Sequence, residues 1–503
     1  MTRAIDERTG IPVCQQRRAA SGLRYGVAAV AIAVAVCMSS APALSDTLNS
    51  ALSHAYRYNP KLDAARATLR ATDEEVARAN SGYRPIISGS ADVGFQKQDT
   101  VPSGAGNGET HPRGYSVQAV QPLFRGGRVF NQVNEAEATV RAGREILRGV
   151  EQTVLLDATT AFMDVIRDQA VVRIRENNVE VLSKELRATR DRFGVGEVTR
   201  TDVAQAEARR SVSLSALEAA RAALKTSRGA FERHIGHPPG RLVEPKLNGR
   251  VPKSLQEAIS ISSRENPFVI AALYREQSAR HTVDRIWGEL LPSMQLETTY
   301  SHRFDPSQAL QESRTTSIVG RLTVPLYSGG EVDARVRQAK HTHVSRIQEI
   351  EQNRQEVQAN VVAAWSQYQA AQAQLQSDTA QVRAFRTALN GVREEEKVGQ
   401  RTLLDVLNAE QELLNAEVAL VTTRRNIVVA GHALLAAIGR LNIQEIGSAD
   451  TVYDPEVHYH EVRRQWRGVS ITKNDDRKVE SIKDKWETKT VAPQRTDGWK
   501  PVK

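Results

Sequence analysis

Most of the chain follows one order of hydrophobic patterns, and it does so twice. Residues 46–80 and 254–288 have apolar side chains at three- and four-residue intervals, which predicts helices. After each of them the apolar period changes to two, the pattern of a strand with one apolar face. The alternating positions are Ile87, Gly89, Ala91, Val93 and Phe95, then Tyr115, Val117, Ala119 and Leu123, and in the second copy Met294, Leu296, Thr298 and Tyr300, then Ile318, Gly320, Leu322, Val324 and Leu326.

Four strands of about ten residues are predicted, which is the length of strands that cross a bilayer. A loop rich in glycine and proline, residues 99–112, separates the first two strands. Four strands cannot close a barrel, and an open sheet in a bilayer would leave backbone groups unpaired. The chain should therefore oligomerise. Three copies, with twelve strands, leave room for a channel, whereas the interior of an eight-stranded dimer is filled by side chains.

A long helix is predicted after each strand pair. Residues 331–398 contain no proline and one glycine, Gly391. Between positions 357 and 392, ten of eleven residues at alternating four- and three-residue spacing are apolar, with Asp378 as the exception. This is the repeat of a coiled-coil seam. At about 1.5 Å per residue such a helix is about 100 Å long, and residues 129–193 are its counterpart.

Each long helix is expected to turn at glycine and return. Gly194 and Gly196 precede a helix predicted over 200–235, and Gly399 precedes one over 403–438. The two halves also share seven landmarks in the same order, which indicates a tandem repeat. Paired at offsets of 207 or 203 are Asn59-Pro60 with Asn266-Pro267, Arg84-Pro85 with Leu291-Pro292, Pro122 to Gly127 with Pro325 to Gly330, Gly196 with Gly399, Asp202-Val203 with Asp405-Val406, Ala206-Glu207 with Ala409-Glu410, and Ile235-Gly236 with Ile438-Gly439.

The predicted organisation therefore has four parts. Residues 1–43 read as a signal peptide, with a basic start, an apolar run over 26–38 and a small-residue cleavage site ending at Ala43. The run of about 13 residues is short of the roughly 20 that a membrane anchor needs. Repeats follow over 44–240 and 241–442, and a charged extension occupies 443–503. We expect residues 453–466 to pack on the helices and the last thirty to be disordered.

Composition narrows the functional classes. Both cysteines, Cys14 and Cys37, lie in the signal peptide, so the exported chain would hold its fold without disulfides; Val36 before Cys37 disfavours a lipoprotein. The mean hydropathy of −0.44 argues against a polytopic helical membrane protein. The net charge of +9 is spread along the chain, so nucleic acid is not an expected partner.

No enzymatic or metal-binding motif stands out in the sequence. The chain has no Gly-x-Ser-x-Gly, phosphate loop or His-Glu-x-x-His. His341 and His343 would face apart on a helix, and His458 and His460, on a segment expected to be extended, have no evident third ligand. We therefore expect no enzyme activity, cofactor or metal. A secreted trimeric coiled-coil adhesin or scaffold stays open as the alternative, although it would not need strand pairs duplicated together with hairpins.

The turns at the ends of the two predicted helical hairpins, which we call the tips, resemble those of a known family. Both tips read Val-Gly, five residues, then Asp-Val, and residues 398–409 (Val-Gly-Gln-Arg-Thr-Leu-Leu-Asp-Val-Leu-Asn-Ala) are the most specific segment. The chain resembles the TolC family of outer-membrane efflux proteins over about residues 46–441. The resemblance implies a mainly α fold with transmembrane β structure, in which a trimeric twelve-stranded barrel continues into the periplasm as an α-helical tunnel.

The resemblance also implies partners and site residues. The tunnel would dock on a periplasmic adaptor joined to an inner-membrane ABC or RND-type pump, for multidrug efflux or type I protein secretion; the cargo is not readable from this sequence. The docking tips would be Val195, Gly196, Val398 and Gly399. In the gate, Arg401 would be the clasp cation, Thr201 and Asp202 its partners, and Asp405 an acid of the pore ring.

Two positions depart from the family pattern, and one alternative stays open. Asn408 stands where a second acid can occur, and Glu396 where a clasp tyrosine can occur. Asp202 and Asp405 each lie near the start of a returning helix, where an aspartate can also serve only to cap the helix.

Overall fold

The computed structural model describes residues 46–99, 108–245, 251–446 and 452–470. The predicted signal peptide, with both cysteines, and the predicted disordered end of the tail lie outside these described residues. Each repeat begins with two short helices, continues with strands and ends with a hairpin of two long helices. The first repeat contains α1 (Leu48–Tyr58), α2 (Pro60–Asn80), β1 (Ile86–Val93), β2 (Gln96–Gln98), β3 (Gly108–Thr110), β4 (Arg113–Arg125), α3 (Arg128–Gly194) and α4 (Arg200–Ile235).

The second repeat follows the same order without the two shortest strands. It contains α5 (Leu255–Glu265), α6 (Pro267–Trp287), β5 (Ser293–Ser307), β6 (Leu310–Thr323), α7 (Glu331–Lys397) and α8 (Leu403–Ile438). A tail with two short helices, α9 (Ile443–Ile446) and α10 (Glu456–Val462), completes the described chain.

The first helix predicted in each repeat is two helices, so that prediction was wrong at one point. The break falls at Asn59-Pro60 and again at Asn266-Pro267, since a proline has no N–H to continue a helix and is favoured at its first position. The Asn59 side chain accepts a hydrogen bond from the Lys61 N–H at 3.0 Å and donates one to the His234 carbonyl at 2.9 Å. Asn266 repeats this with Phe268 and the carbonyl of Ala437. Each asparagine thus caps a helix and ties it to the end of its repeat's hairpin.

The four long strands form one antiparallel sheet in the order β1-β4-β5-β6. The register sorts the side chains by face. One cross-strand row is Ile87, Ala119, Thr298 and Ile318, whereas the row of the opposite face is Ser90, Ser116, Ser301 and Thr315. Ile87 and Ile318 are each 69% exposed, as expected of side chains that face lipid. The predicted single apolar face is therefore confirmed.

The polar face has its own hydrogen bonds. The hydroxyls of Ser90 and Ser116 lie 2.8 Å apart, and Arg321 bonds both carboxylate oxygens of Glu297, at 2.8 and 3.1 Å. A bidentate pair of this kind suits a surface that faces water. The sheet is thus amphipathic across its thickness, with the polar side available to line a lumen.

The strand ends differ from the predicted ones. β6 stops at Thr323, so Val324 and Leu326 lie outside the sheet, because Pro325 cannot donate to a ladder. The equivalent Pro122 remains within β4, where a register shift between Pro122 and Phe124 accommodates it. The predicted loop over 99–112 is also shorter, since β3 pairs with β2 there.

Both long hairpins are present, with α3 and α7 each 67 residues long. The predicted seam of α7 is confirmed, because all eleven positions between 357 and 392 are buried or half-buried. Its polar member, Asp378, accepts a hydrogen bond from the Thr423 hydroxyl of α8 at 2.6 Å. The main core lies where both hairpins meet the short helices α1, α5 and α9; its fully buried side chains include Phe162, Phe231 and Leu434.

The tail packs on the first repeat, as expected. Tyr459 of α10 fills the groove between α2 and α3, next to Val76 and Val140. His458 Nδ1 lies 3.1 Å from Asp73, whose burial raises the pKa of its carboxyl. The segment around His458 is helical rather than extended, which corrects our prediction, and His458 is engaged by this carboxylate.

Equivalent glycines of the two repeats generate a prediction about stability. Gly126 and Gly329 both have positive φ, +61° and +68°, but a Cβ on Gly126 would lie 2.2 Å from the Gly288 carbonyl oxygen, whereas Gly329 has open space. We expect Gly126→Ala to destabilise the protein by about 1–3 kcal/mol more than Gly329→Ala, since only the first adds a clash to the shared backbone strain. Denaturation of the purified proteins in detergent measures the difference, and equal losses would contradict the packing argument.

Candidate functional site

The two hairpin tips have the same backbone geometry. At the first tip the Gly196 N–H donates to the carbonyl of Phe193 at 3.0 Å, and the Glu197 N–H donates to the carbonyl of Arg192. The same two bonds recur at Gly399 and Gln400. This pattern ends a helix with a left-handed residue, and φ is +83° at Gly196 and +74° at Gly399, so glycine is required. The predicted turning glycines are therefore in place, whereas Gly194 still belongs to helix α3.

Both aspartates of the predicted gate take part in capping boxes. Asp202 accepts from the N–H and hydroxyl of Thr199, and the Asp202 N–H donates back to the Thr199 hydroxyl. Thr402 and Asp405 repeat the box at the start of α8. Hydrogen bonds from Thr402 lower the pKa of Asp405, which remains charged. The threonine is the cap and the aspartate its third-position partner, so the capping interpretation of these aspartates has direct support.

Arg401 is bonded within its own hairpin. Its Nε donates to Glu395 at 2.9 Å, which is the main reason that the pKa of Arg401 is raised. Among the described residues of one chain, no hydrogen bond joins Arg401 to Thr201 or Asp202, and Thr201 is exposed. A clasp between Arg401 and these residues would therefore have to form between two protomers, and it stays a prediction.

Two contacts join the hairpins of one chain near the tips. Arg192 of α3 donates to Glu396 of α7 at 2.6 Å, and Arg209 of α4 donates to the Asn408 side-chain oxygen of α8 at 2.8 Å. Both positions that depart from the family pattern thus have partners on the other hairpin. Sequence reasoning missed Arg192 and Arg209, since nothing in their spacing distinguishes them from the many surface arginines.

Each tip presents one exposed valine. Val195 is 74% exposed and Val398 is 71% exposed, each beside the turning glycine. Around both glycines a Cβ would meet nothing within 4 Å. These four residues, the predicted docking tips, form two equivalent knobs at the ends of the long hairpins.

The described ranges show no metal site and no membrane-spanning helix. No cluster of three His, Cys, Asp or Glu side chains there is placed to hold a metal ion. No helix in those ranges is long and apolar enough to cross a membrane. His343, which with His341 was weighed as a metal ligand, lies 2.6 Å from Glu276 on the neighbouring helix α6.

Known proteins resemble this chain in sequence and in fold. The outer membrane efflux protein family matches residues 51–237 and 258–440. The outer membrane efflux protein BepC of Brucella suis is 36% identical over 451 residues, covering 88% of this chain and 96% of BepC. TolC of Escherichia coli is 23% identical over 407 residues, covering 77% and 81%. The Campylobacter jejuni CmeC outer membrane channel has a TM-score of 0.72 at 16% identity, covering 83% and 89%.

An amphipathic four-stranded sheet on two long helical hairpins defines the class: an outer-membrane channel in which three chains build a twelve-stranded barrel continued by a helical tunnel. The chain belongs to the outer membrane efflux protein family. It is an export channel of the outer membrane with its helical part in the periplasm.

The capping boxes generate a prediction that separates capping from pore electrostatics. Thr402→Ala and Asp405→Ala each break the same box, so both should loosen the first turn of α8 to a similar extent. Only Asp405→Ala removes a charge, and it should also reduce cation selectivity in planar bilayers. Hydrogen exchange of the first-turn amides and reversal potentials measure the two effects. Unchanged selectivity in Asp405→Ala would leave this aspartate a capping role alone.

Proposed function

We propose that this channel exports substrates handed to it by a periplasmic adaptor and an inner-membrane pump, and that its hairpin tips are both the docking surface and the gate. The observation that carries the proposal is the duplicated tip, where an exposed valine and a left-handed glycine repeat at both hairpin ends. Exposed apolar knobs next to a bare backbone suit a partner that approaches closely. Homotrimer formation supplies six such knobs to an adaptor ring.

The gate in this proposal is a set of weak polar links between hairpins. A tunnel open at rest would leak solutes, so the closed tip must be favoured, yet an adaptor must be able to reverse it. Exposed ion pairs contribute only about 0.2–1 kcal/mol each, and threefold repetition multiplies them. The partly buried ion pair of Arg192 with Glu396 and the hydrogen bond from Arg209 to Asn408 are the links within one chain, and Arg401 with Thr201 and Asp202 is the proposed link between chains.

The kind of pump is a property of the partner proteins rather than of this chain. The similarity to BepC, which is named an efflux protein, is the ground on which we propose efflux. An RND-type pump would indicate small-molecule efflux, whereas an ABC pump with its adaptor would indicate type I secretion. A deletion strain distinguishes the two functions. Sensitivity to toxic compounds would indicate efflux, and loss of a secreted protein from the medium would indicate type I secretion.

The docking proposal predicts a loss of export without loss of the channel. Val195→Glu combined with Val398→Glu should abolish export because it puts charge on both knobs and leaves the turn glycines unchanged. Val469→Glu, at a fully exposed position far along the tail, is the control and should export normally. Export is measured in cells, and trimer and conductance are measured on the purified proteins. Normal export by the double variant would place docking elsewhere.

The gate proposal predicts a change in conductance. Arg192→Ser with Arg209→Ser should raise single-channel conductance, because it removes the two links near the tips that join the hairpins of each chain. Arg190→Ser, which breaks an exposed pair with Glu207 inside the first hairpin, should leave conductance unchanged. Arg401→Ser with Asp202→Ala tests the link between protomers in the same recording. If neither double variant conducts more than the wild type, the gate is formed by other residues.

A further inference from the structure

The tail approaches the sheet as it runs along the first repeat. Its neighbours α2 and α3 both meet the sheet, because α2 leads into β1 and α3 begins just after β4. Early in the tail, Glu456 lies 2.8 Å from Arg144 of α3. Later in the tail, Arg463 lies 3.0 Å from Glu137, which is nearer to the start of the same helix. At about 1.5 Å per residue these contacts are about 10 Å apart along α3, so the tail leads towards the membrane.

The tail reaches the level of the sheet at Arg84. The Nη1 of Arg84 donates to the Gln465 carbonyl at 2.7 Å, and its guanidinium lies 4.9 Å from the centre of the Trp466 ring. Strand β1 begins at Ile86, directly after Pro85. Two residues of chain span at most about 7 Å. Trp466 therefore lies close to the level at which the strands enter the membrane.

This contact lies on the lipid-facing side of the sheet. Gln121 of β4 is two positions beyond Ala119, a member of the lipid-facing row, so both side chains are on the same face. The Gln121 amide donates to the Tyr83 carbonyl at 3.0 Å. The chain just before β1 thus lies under the lipid-facing side of β1 and β4 rather than beyond the free edge of β1. Trp466, which is 71% exposed, is placed as tryptophans are at the boundary between membrane and water.

Two arginines flank Trp466 and carry charge that the described part of the chain does not neutralise. Arg464 and Arg467 are exposed, and neither forms a hydrogen bond or ion pair with another residue that the structure describes. Residues 464–467 (Arg-Gln-Trp-Arg), which we call the Trp466 segment, contain no acidic residue. Arg463, just before the segment, is instead paired with Glu137. Two free positive charges beside an exposed aromatic ring are complementary to the phosphate groups of anionic lipids.

We propose that the Trp466 segment binds the headgroups of anionic phospholipids in the leaflet of the outer membrane that faces the periplasm. The Trp466 ring lies at the depth of the headgroups, where its apolar body and its N–H are both accommodated. Arg464 and Arg467 contact the phosphates, and their aliphatic stems lie along apolar surface. The tail is thus a membrane contact additional to the strands. This contact is independent of the proposed docking surface and gate, which lie at the far ends of the long helices.

Spin labels in reconstituted trimers test the position of the segment. Both cysteines lie in the predicted signal peptide, so one introduced cysteine can be labelled alone. Ser470→Cys puts the label just after the segment, and Val457→Cys, at an exposed position of α10 further from the sheet, is the control. The vesicles contain phosphatidylethanolamine and phosphatidylglycerol. We expect the label at position 470 to collide relatively more with oxygen, which concentrates in lipid, and less with a water-soluble nickel chelate than the label at position 457.

The double variant Arg464→Gln with Arg467→Gln tests the charges with the same label at position 470. Each arginine near an anionic surface contributes about fivefold to binding, so the ratio of bound to free segment should fall by about 25-fold. Vesicles of phosphatidylcholine alone should weaken the contact of the unchanged segment in the same direction. Arg187→Gln with Arg424→Gln removes two exposed arginines of the long hairpins, and this matched control should leave the label unaffected.

Three results would overturn the proposal. Equal collision ratios at positions 470 and 457 in the anionic vesicles would place the segment in water. A label at position 470 that is shielded from both oxygen and the nickel chelate would show that protein, such as a neighbouring protomer, covers the segment. An unchanged lipid contact in the double arginine variant would exclude recognition of headgroups by these charges. None of these measurements uses export or conductance, so they are decided separately from the docking and gate proposals.

Discussion

The pairing of backbone N–H and C=O groups in the membrane is the constraint on which the rest of the structure depends. The sheet runs β1-β4-β5-β6, so in one chain β1 and β6 are its edges. A bilayer offers no hydrogen-bond partner for such edges, and only a neighbouring copy can pair them. Association with further copies is thus a requirement of the strand count, and in a trimer six hairpins surround one axis.

The internal duplication gives two nearly equivalent repeats, and their differences show where the two copies have different surroundings. The tip turns and capping boxes are the same in both repeats, down to the hydrogen-bond pattern. Other pairs have diverged. A Cβ on Gly126 would clash with the Gly288 carbonyl whereas one on Gly329 would meet nothing within 4 Å, and the described tail packs on the first repeat. Each divergence occurs where one copy meets a part of the chain that the other does not.

The same principle explains the electrostatics near the tips. A surface ion pair of arginine and glutamate is worth little and tolerates water. When the equivalent pair is buried, as that of Arg393 with Glu410 is, the second oxygen of the glutamate loses solvent and the balance of nearby charges begins to matter. Weak contacts at the tips of long helices suit the proposed gate because a small free energy is enough to separate them, whereas the main core around Phe162 and Phe231 holds the helices together away from the tips.

The sequence by itself determined the repeat, the amphipathic strands, the seam of α7 and the turning glycines, because each depends on local periodicity or on the backbone freedom of one residue. It also identified the aspartates at the tips, but not whether they cap or gate. The break at Asn59-Pro60, the early end of β6, and the partners of Arg192, Arg209 and Glu410 were decided only by tertiary structure. Equivalent residues such as Glu207 and Glu410 have different surroundings in the folded chain, since one is exposed and the other is buried. Burial depends on helices that are distant in sequence, so no local pattern shows which of the two glutamates is buried.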